Sequence, residues 1–258
     1  MTALDLTSLV GRRTIDLVRT LGRSFIFLFE SVSYGFVPPL KLRRTVEQIA
    51  FIGARSVSII LITGAFTGMV LGLQGYYTLS KFGSEGLLGS AVALSIIREL
   101  GPVLSALMVT GRAGSSMTAE IGIMKITEQT SALEMMAVNP IKHVVTPKIF
   151  AGVFSLPLLT GLFDVIGIFG GYLVGVKLLG VNEGAYFGEM ARSVEFMDIY
   201  GGFVKSLVFG LIVAWLCSFK GYTATATTEG VATATTDAVV VTSVTILIMD
   251  YILTSFLL

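Results

Sequence analysis

The stretch SVSIILITGAFTGMVLGLQGYYTLS, residues 56–80, carries no charged side chain and decides the fold class. A helix needs about 20 mostly apolar residues to cross the hydrocarbon core of a bilayer. Transmembrane β-strands are shorter, about 10 residues, and alternate polar with apolar side chains. The long, continuous apolar run therefore predicts a membrane-spanning α-helix.

Four further apolar runs follow along the chain, and together the five predict an all-α integral membrane protein of one domain. The composition agrees, because 53% of the residues are hydrophobic and only 14% are charged. Soluble domains contain about 25% charged residues. The predicted spans are residues 56–80, 86–111, 149–176, 199–219 and 238–258.

Basic residues outside these runs predict the orientation in the membrane. Loops on the cytoplasmic side are enriched in lysine and arginine. Eight such residues precede position 56, whereas the loop after the first span contains only Lys81. The N-terminus is therefore predicted to be cytoplasmic, and five spans place the C-terminus on the opposite side.

Residues 1–50 form an N-terminal region ahead of the transmembrane bundle, which occupies residues 51–258. Arg12, Arg19 and Arg23 recur here at helical spacing, while Leu21 and Phe25 occupy another side. This pattern predicts an amphipathic helix that lies in the membrane interface. The alternative is a solvated helix before the first span, and it would leave Phe25 and its apolar neighbours in water.

Charged residues inside the predicted spans are candidates for a functional site, since a charge at the bilayer centre costs about 2.5–3.5 kcal/mol. Arg98 and Glu99 lie in the second span and Lys205 in the fourth. Successive helical residues diverge by about 100°, so Arg98 and Glu99 cannot fully serve each other. We interpret these three residues as the lining of one polar cavity, and Asp164 and Asp250 as members of structural ion pairs. The alternative is that Arg98 also pairs structurally with an aspartate and that Lys205 extends toward the interface.

No catalytic residue and no metal ligand is predicted. His143 is the only histidine and Cys217 the only cysteine, so no nucleophile–base set or metal-ligand cluster can be assembled. The segment GRAGSS, residues 111–116, lacks the spacing of a phosphate-binding loop and is interpreted as the end of a helix. We therefore expect no ATP site in this chain. A net charge of +1 provides no field that would attract nucleic acid.

The segment TAEIGIMKITEQTSALEMMAVNPI, residues 118–141, lies between the second and third predicted spans. Leu133 and Met136 share one helical face, whereas Glu128 and Glu134 lie mostly on others. An ordinary connection between spans needs no such pattern, so we predict a short amphipathic helix within residues 127–138. Pro140 is expected to stop it, because a proline disfavours helical geometry in the residue before it.

Three stretches resemble the MlaE permease family: GAFTGMVLGLQGY (64–76), RELGPVLSALMVTGRAGSSMTAEIGIMKITEQTSALEMMAVNPI (98–141) and SFKGYTATATTEGVATATTDAVVVTSVTILIMDYILT (218–254). The resemblance covers nearly the whole chain past residue 50. Members of the family are membrane subunits of ABC-type phospholipid transporters in Gram-negative envelopes, where they help to maintain outer-membrane lipid asymmetry. One departure is visible. The family usually reads close to E-G-V-G-R-A-T-T-[RK] before the last span, whereas residues 229–237 of this chain read EGVATATTD. The second glycine and both basic positions are therefore absent, and the last basic position is occupied by Asp237.

The resemblance implies a homodimer in the bacterial inner membrane, with the N-terminus cytoplasmic and the C-terminus periplasmic. It implies three partners: a cytoplasmic MlaF-like ABC ATPase, a MlaB-like STAS-domain subunit and a periplasmic MlaD-like ring of MCE domains. ATP is bound by the ATPase, and no cofactor is expected in this chain. Arg98 and Lys205 are expected to attract a phospholipid phosphate, with Glu99 tuning them or meeting a cationic headgroup.

The resemblance also implies a role for the segment at 118–141 as a coupling helix in a cleft of the ATPase. Leu133 and Met136 are expected to enter a pocket, with Met135 at its edge and Glu128 and Glu134 on its rim. The alternative is a surface helix that packs on its own membrane domain.

Two other classes of function are weighed against this one. An ion-coupled secondary transporter could use Glu99, Asp164 and Asp250 as a relay, but five spans do not readily supply inverted repeats. An intramembrane enzyme is disfavoured because the sequence lacks a nucleophile–base set.

Overall fold

The computed structural model describes residues 3–38 and 41–257, and no strand occurs in either range. The chain instead forms helices throughout, many of them joined end to end by short 3₁₀ or π turns. The α-helices are α1 (Ala3–Ser33), α2 (Leu42–Ile52), α3 (Val57–Ser80), α4 (Leu88–Ser95), α5 (Gly101–Val109), α6 (Ser115–Ile126), α7 (Gln129–Met135), α8 (Thr146–Tyr172), α9 (Glu183–Ser193), α10 (Phe196–Thr223) and α11 (Thr228–Leu257).

Five helical segments of the described chain are long and apolar enough to cross a membrane, which confirms the predicted all-α architecture. Each extends beyond the bounds that the apolar runs predict at one or both ends, because polar residues continue the helices past the apolar core. The spans are Leu42–Ser80, Glu85–Ile126, Ile141–Leu178, Phe196–Thr223 and Thr228–Leu257. Residue 258, the predicted end of the last span, lies outside the described residues.

The interpretation of GRAGSS as a helix end is wrong. The second span passes through this segment in the π turn Thr110–Gly114 and continues as α6 to Ile126. Arg112 is tolerated there because its guanidinium donates to the Ser56 hydroxyl at 2.8 Å and to the Phe51 carbonyl at 2.6 Å. The charged residue therefore ties the second span to the junction between α2 and α3 instead of ending the helix.

Small residues hold the first and third spans together. A methyl group added to Gly68 would lie 1.7 Å from the carbonyl oxygen of Gly167, and one added to Gly72 would lie 3.0 Å from that of Gly171. Only glycine permits this approach of two helix backbones, as is common where membrane helices pack closely. The glycine stripe on α3 is thus a packing surface within one chain.

The N-terminal helix α1 is present as predicted and packs against α10. The Trp215 indole donates to the Ser24 carbonyl at 2.8 Å, and the Phe25 ring lies 5.0 Å from that of Trp215. Other apolar side chains of α1, including Leu21 and Phe29, are exposed. The position of α1 in the membrane interface stays a prediction, and the Arg12 side chain lies outside the described residues.

The bundle has two distinct ends, which we call the α7 end and the α9 end after the short helices that they carry. At the α9 end, Tyr186 is fully buried and its hydroxyl donates to the Ile168 carbonyl at 3.1 Å. Burial raises the pKa of Tyr186 to about 12. A methyl group on Gly89 would lie 2.0 Å from the Tyr186 carbonyl, so glycine lets α9 pack directly on α4.

Candidate functional site

Lys205 is the centre of a charged cluster between the second, fourth and fifth spans. Its side chain is only 3% exposed. The ammonium donates to Glu99 Oε2 at 2.7 Å, to Thr254 Oγ1 at 2.7 Å and to the Arg98 carbonyl at 2.9 Å. These three acceptors occupy all three N–H groups of the lysine.

Asp250 completes the charge balance around Lys205. Its Oδ1 lies 3.3 Å from Lys205 Nζ but receives no hydrogen bond. The reason is that every ammonium proton is already donated elsewhere, so the contact is a Coulombic one. The predicted ion pair of Asp250 is therefore confirmed, with Lys205 as its partner.

A close backbone approach places Lys205 beside Glu99. A methyl group on Gly202 would lie 2.4 Å from the Ile97 carbonyl, so glycine lets α10 pack against the π turn Ile96–Leu100. Lys205 follows Gly202 by three residues and thus projects from the same side of α10. Turns of the π type inside α-helices are frequently found at functional sites.

Arg98 faces a different partner from Glu99, as the helical divergence of successive residues requires. Its Nε and one terminal nitrogen both lie 2.7 Å from Asp198 Oδ1. The other oxygen of Asp198 accepts the Glu195 backbone N–H at 2.9 Å and caps the start of α10. Arg98 does pair with an aspartate, as the alternative interpretation of the sequence held.

The three predicted site residues thus lie together around a cavity of about 40 Å³ at the α9-side mouth of the cluster. Arg98 and Glu99 are 39% and 37% exposed and face outward, whereas Lys205 does not. Two cations and three carboxylates meet here, so the cluster does not present a surplus of positive charge. The cavity is lined by Arg98, Glu99, Met197, Asp198, Gly201, Gly202, Lys205, Thr254 and Leu257.

Two members of the cluster were missed by the sequence analysis. Asp198 lies one residue before the predicted fourth span, residues 199–219, and Thr254 has no charge that would mark it as a candidate. Asp198 precedes Lys205 by seven residues, which puts both on one face of a helix. That spacing was a usable signal, but it required knowing that α10 begins at Phe196.

Asp164 lies apart from this cluster, and its predicted structural ion pair is wrong. No described lysine or arginine pairs with it, and its Oδ1 has no hydrogen-bond partner among the described residues. The available cations of neighbouring spans, Arg98 and Lys205, are turned toward Asp198 and Glu99. Glu99 and Asp250 both contact Lys205, whereas Asp164 does not. The three carboxylates proposed as an ion relay therefore do not form a connected path.

The segment between the second and third spans contains the short helix α7, inside the predicted range 127–138. It begins after Glu128, whose φ of 56° is left-handed and breaks the path from α6. Residues 118–126 belong to α6, so only part of the quoted segment forms the separate helix. Pro140 does not end it: α7 stops at Met135, and Ala137 has a left-handed φ of 57°.

The side chains predicted for coupling differ in exposure. Met135 and Met136 are 84% and 65% exposed, whereas Leu133 is half-buried. Glu128 and Glu134 are exposed. The short helix α7 and the residues that flank it therefore expose two methionines and two carboxylates.

A cavity of about 610 Å³, lined by both polar and apolar side chains, adjoins α7 at this end of the bundle, between α2, α6 and α8. On its floor the side chain of Lys148 is 1% exposed and pairs with Glu120 at 2.5 Å. This ion pair links the third span to α6 close to the start of α7. Among the residues that the structure describes, no cluster of His, Cys, Asp and Glu could hold a metal ion.

The segment that departs from the family pattern forms the start of α11, and an ion pair joins it to α10. Lys220 Nζ lies 3.5 Å from Asp237 Oδ2. Asp237 stands where the family pattern has a basic residue, and here it neutralises Lys220 instead.

Comparison with known proteins identifies relatives over nearly the whole chain. The family model described as Permease MlaE matches residues 45–256. The intermembrane phospholipid transport system permease protein MlaE of Haemophilus influenzae is 46% identical, with 98% of each chain covered. A probable ABC transporter permease protein of Rickettsia typhi is 41% identical over 98% of each chain. The chloroplastic protein TRIGALACTOSYLDIACYLGLYCEROL 1 of Arabidopsis thaliana is 33% identical over 83% of this chain and 61% of its own.

Proposed function

This chain belongs to the MlaE permease family, and on that premise we propose that it is the membrane-spanning subunit of an ABC transporter for phospholipids. It moves phospholipids between the inner membrane and the periplasm or outer membrane, and so maintains outer-membrane lipid asymmetry. The observation that carries the proposal is the near full-length similarity to a phospholipid transport permease. The charged cluster inside the spans supports it, because intramembrane charges generally mark a substrate pathway.

We assign the lipid headgroup site to Arg98, Glu99 and Lys205, with unequal roles. Arg98 and Glu99 are partly exposed and contact the headgroup, Arg98 at the phosphate and Glu99 at a cationic group. Lys205 is buried and has no free N–H, so it positions Glu99 and does not itself bind lipid. The near balance of charge in the cluster favours a zwitterionic headgroup over an anionic one.

We assign the coupling to the ATPase to α7. Exposed Met135 and Met136, with Leu133 behind them, are the apolar anchors, and methionine suits a joint that moves because its side chain adapts to changing contacts. Glu128 and Glu134 meet basic residues on the rim of the ATPase cleft. The left-handed residue Glu128 separates α7 from α6, and the left-handed residue Ala137 separates it from the third span, as a separate docking element requires.

The assembly follows from the same premise. The chain forms a homodimer in the bacterial inner membrane, with the α7 end and the N-terminus cytoplasmic and the α9 end and the C-terminus periplasmic. Its partners are a MlaF-like ATPase, a MlaB-like STAS-domain subunit and a MlaD-like ring of MCE domains. ATP binds to the ATPase, and this chain contributes no catalytic residue.

The test is reconstitution of the tagged chain with the proteins that co-purify with it. We expect an ABC ATPase among them, and we expect the complex in liposomes to move fluorescent phospholipid only with hydrolysable ATP. Lipid movement driven by a proton or sodium gradient without ATP would favour the ion-coupled carrier instead. A complex that hydrolyses ATP but moves no lipid in either direction would overturn the proposed substrate.

A further inference from the structure

A groove of about 270 Å³ lies between α8 and α10, and its lining includes Gly202, which also lines the cavity of the headgroup cluster. Its walls are mostly apolar, and two of them, Val165 and Phe203, are 66% and 51% exposed on the surface of the bundle. Three polar side chains reach into it: Thr160, Asp164 and Ser206. The groove is thus an amphipathic recess within the membrane-spanning part of the chain.

Two of these three polar side chains carry an atom that lacks a hydrogen-bond partner among the described residues. Asp164 Oδ1 and Thr160 Oγ1 have no hydrogen-bond partner among the described residues, and Thr160 is only 3% exposed. The Ser206 hydroxyl donates its proton to the Phe203 carbonyl at 2.7 Å, which leaves its oxygen as an acceptor. The groove therefore offers a carboxyl group and hydroxyl oxygens, and none of the described residues brings a cation to them.

The carboxyl group is held in this place by the shape of the neighbouring span. A methyl group on Gly101 would lie 1.9 Å from Asp164 Oδ1, so the absence of a side chain there lets the carboxyl group rest on α5. A carboxylate inside the membrane is costly unless a cation or a donor meets it. A ligand that supplies both a positive charge and N–H donors removes that cost.

We propose that this groove is a second binding site, which takes an amphiphile with a primary ammonium group from the membrane. The ammonium donates to Asp164 and to the hydroxyl oxygen of Thr160, and the alkyl chain lies along Val165 and Phe203. The site is distinct from the headgroup cluster, because among the described residues the linings of the two cavities have only Gly202 in common.

The test uses the full chain in phosphatidylcholine nanodiscs with dodecylammonium as the probe, and native mass spectrometry counts the bound amine. We expect Asp164→Asn to weaken binding at least tenfold, because the neutral amide loses the charge at unchanged size. Dodecyltrimethylammonium, which has the same charge but no N–H donor, should bind the original chain several-fold more weakly. Glu183→Gln, an exposed carboxylate at the α9 end, is the control and should leave binding unchanged.

A second variant tests whether a loss of dodecylammonium binding could instead result from misfolding. A methyl group on Gly161 meets nothing within 4 Å, and Gly161 lines the groove, so the β-carbon of Gly161→Leu has room and its side chain takes up space beside the groove. It should lower dodecylammonium binding while Asp164 is retained. Equal binding by Asp164→Asn and the original chain would overturn the proposal. It would also be overturned if a hydrophobic carbodiimide labelled Asp164 at the same rate with and without dodecylammonium.

Discussion

Lys205 Nζ and Glu99 Oε2 lie 2.7 Å apart and join the fourth span to the second inside the apolar part of the bundle. The lysine is almost completely buried and the glutamate is partly exposed, so one ion pair links the interior of the bundle to its candidate lipid site. Because the two residues differ in exposure, mutation can separate their contribution to stability from their contribution to transport.

Replacing Lys205 by alanine should lower stability as well as lipid transport. The change leaves Glu99 and Asp250 as neighbouring carboxylates without their cation, and breaking a buried pair in this way costs about 3–5 kcal/mol. Thermal unfolding in detergent and ATP-dependent lipid transport are the measurements. The double variant Lys205→Ala/Glu99→Gln should recover much of the stability but not the transport.

Lys220 provides the matched control for that experiment. It lies on the same helix, but its pair with Asp237 is more exposed, at 27% and 57%. Exposed pairs contribute about 0–1 kcal/mol, so Lys220→Ala should barely change the unfolding temperature. Wild-type transport by Lys205→Ala would contradict a role for this residue in the lipid site.

Replacing Asp198 by asparagine should strengthen the retention of phospholipid. Asp198 Oδ1 occupies the Arg98 guanidinium, and a headgroup phosphate must compete with it. Asparagine can still accept the Glu195 N–H through its amide oxygen, so the start of α10 stays capped while Arg98 is released. Lipid mass spectrometry of the purified chain measures the effect, and Asp198→Asn with less bound lipid than the original would count against Arg98 as the phosphate contact.

The spans could be predicted from sequence because the hydrocarbon core of the bilayer requires apolar side chains along the whole length of a spanning helix. The grouping of Arg98, Glu99 and Lys205 was predicted for the same reason, since the cost of charge in the membrane is independent of fold. The ion-pair partner of each carboxylate was less predictable. Asp250 forms an ion pair as expected, whereas Asp164 does not. Which carboxylate meets which cation depends on helix rotation and on close approaches such as that at Gly202.

The ends of helices were the least predictable feature. Arg112 looked like the polar end of the second span, but carbonyls of the α2–α3 junction satisfy its guanidinium. Those partners lie about sixty residues away, so no local pattern indicates them. The break at Glu128 is equally hidden, because glutamate is an uncommon residue at a left-handed φ.

Gly68→Ala should destabilise the bundle strongly although it adds a single methyl group. That methyl would lie 1.7 Å from the Gly167 carbonyl oxygen, and both atoms belong to helix backbones that cannot yield separately. Gly188→Ala is the control, because nothing lies within 4 Å of the added methyl on α9. It should be neutral or stabilising by about 0.5–1 kcal/mol, as alanine is favoured over glycine in a helix. Equal unfolding temperatures of the two variants would contradict this account of the α3–α8 contact.

The orientation of the termini can be tested with reporters. A phosphatase that is active only in the periplasm should be active when fused to the C-terminus and inactive when fused to the N-terminus. The reason is the excess of basic residues before the first span combined with an odd number of spans. Phosphatase activity of the N-terminal fusion alone would reverse the orientation and place α7 on the wrong side of the membrane for an ATPase.

The coupling role of α7 is tested most cleanly at Met136. Its side chain is 65% exposed, so Met136→Asp should leave the chain able to insert and dimerise. In the proposed cleft the same aspartate becomes a buried carboxylate without a partner, which costs several kcal/mol. We therefore expect loss of co-purification with the ATPase, and the same for Met135→Asp to a smaller degree.

Leu133→Asp should also abolish co-purification, but Leu133 is half-buried in the chain, so its effect mixes docking with local folding. Glu128→Gln keeps the size of an exposed rim residue and should change affinity by less than tenfold, since such pairs contribute about 0–1 kcal/mol. If Met136→Asp retained full ATPase association and transport, the coupling would belong to another segment, and the 610 Å³ cavity floored by Lys148 and Glu120 would become the next candidate surface.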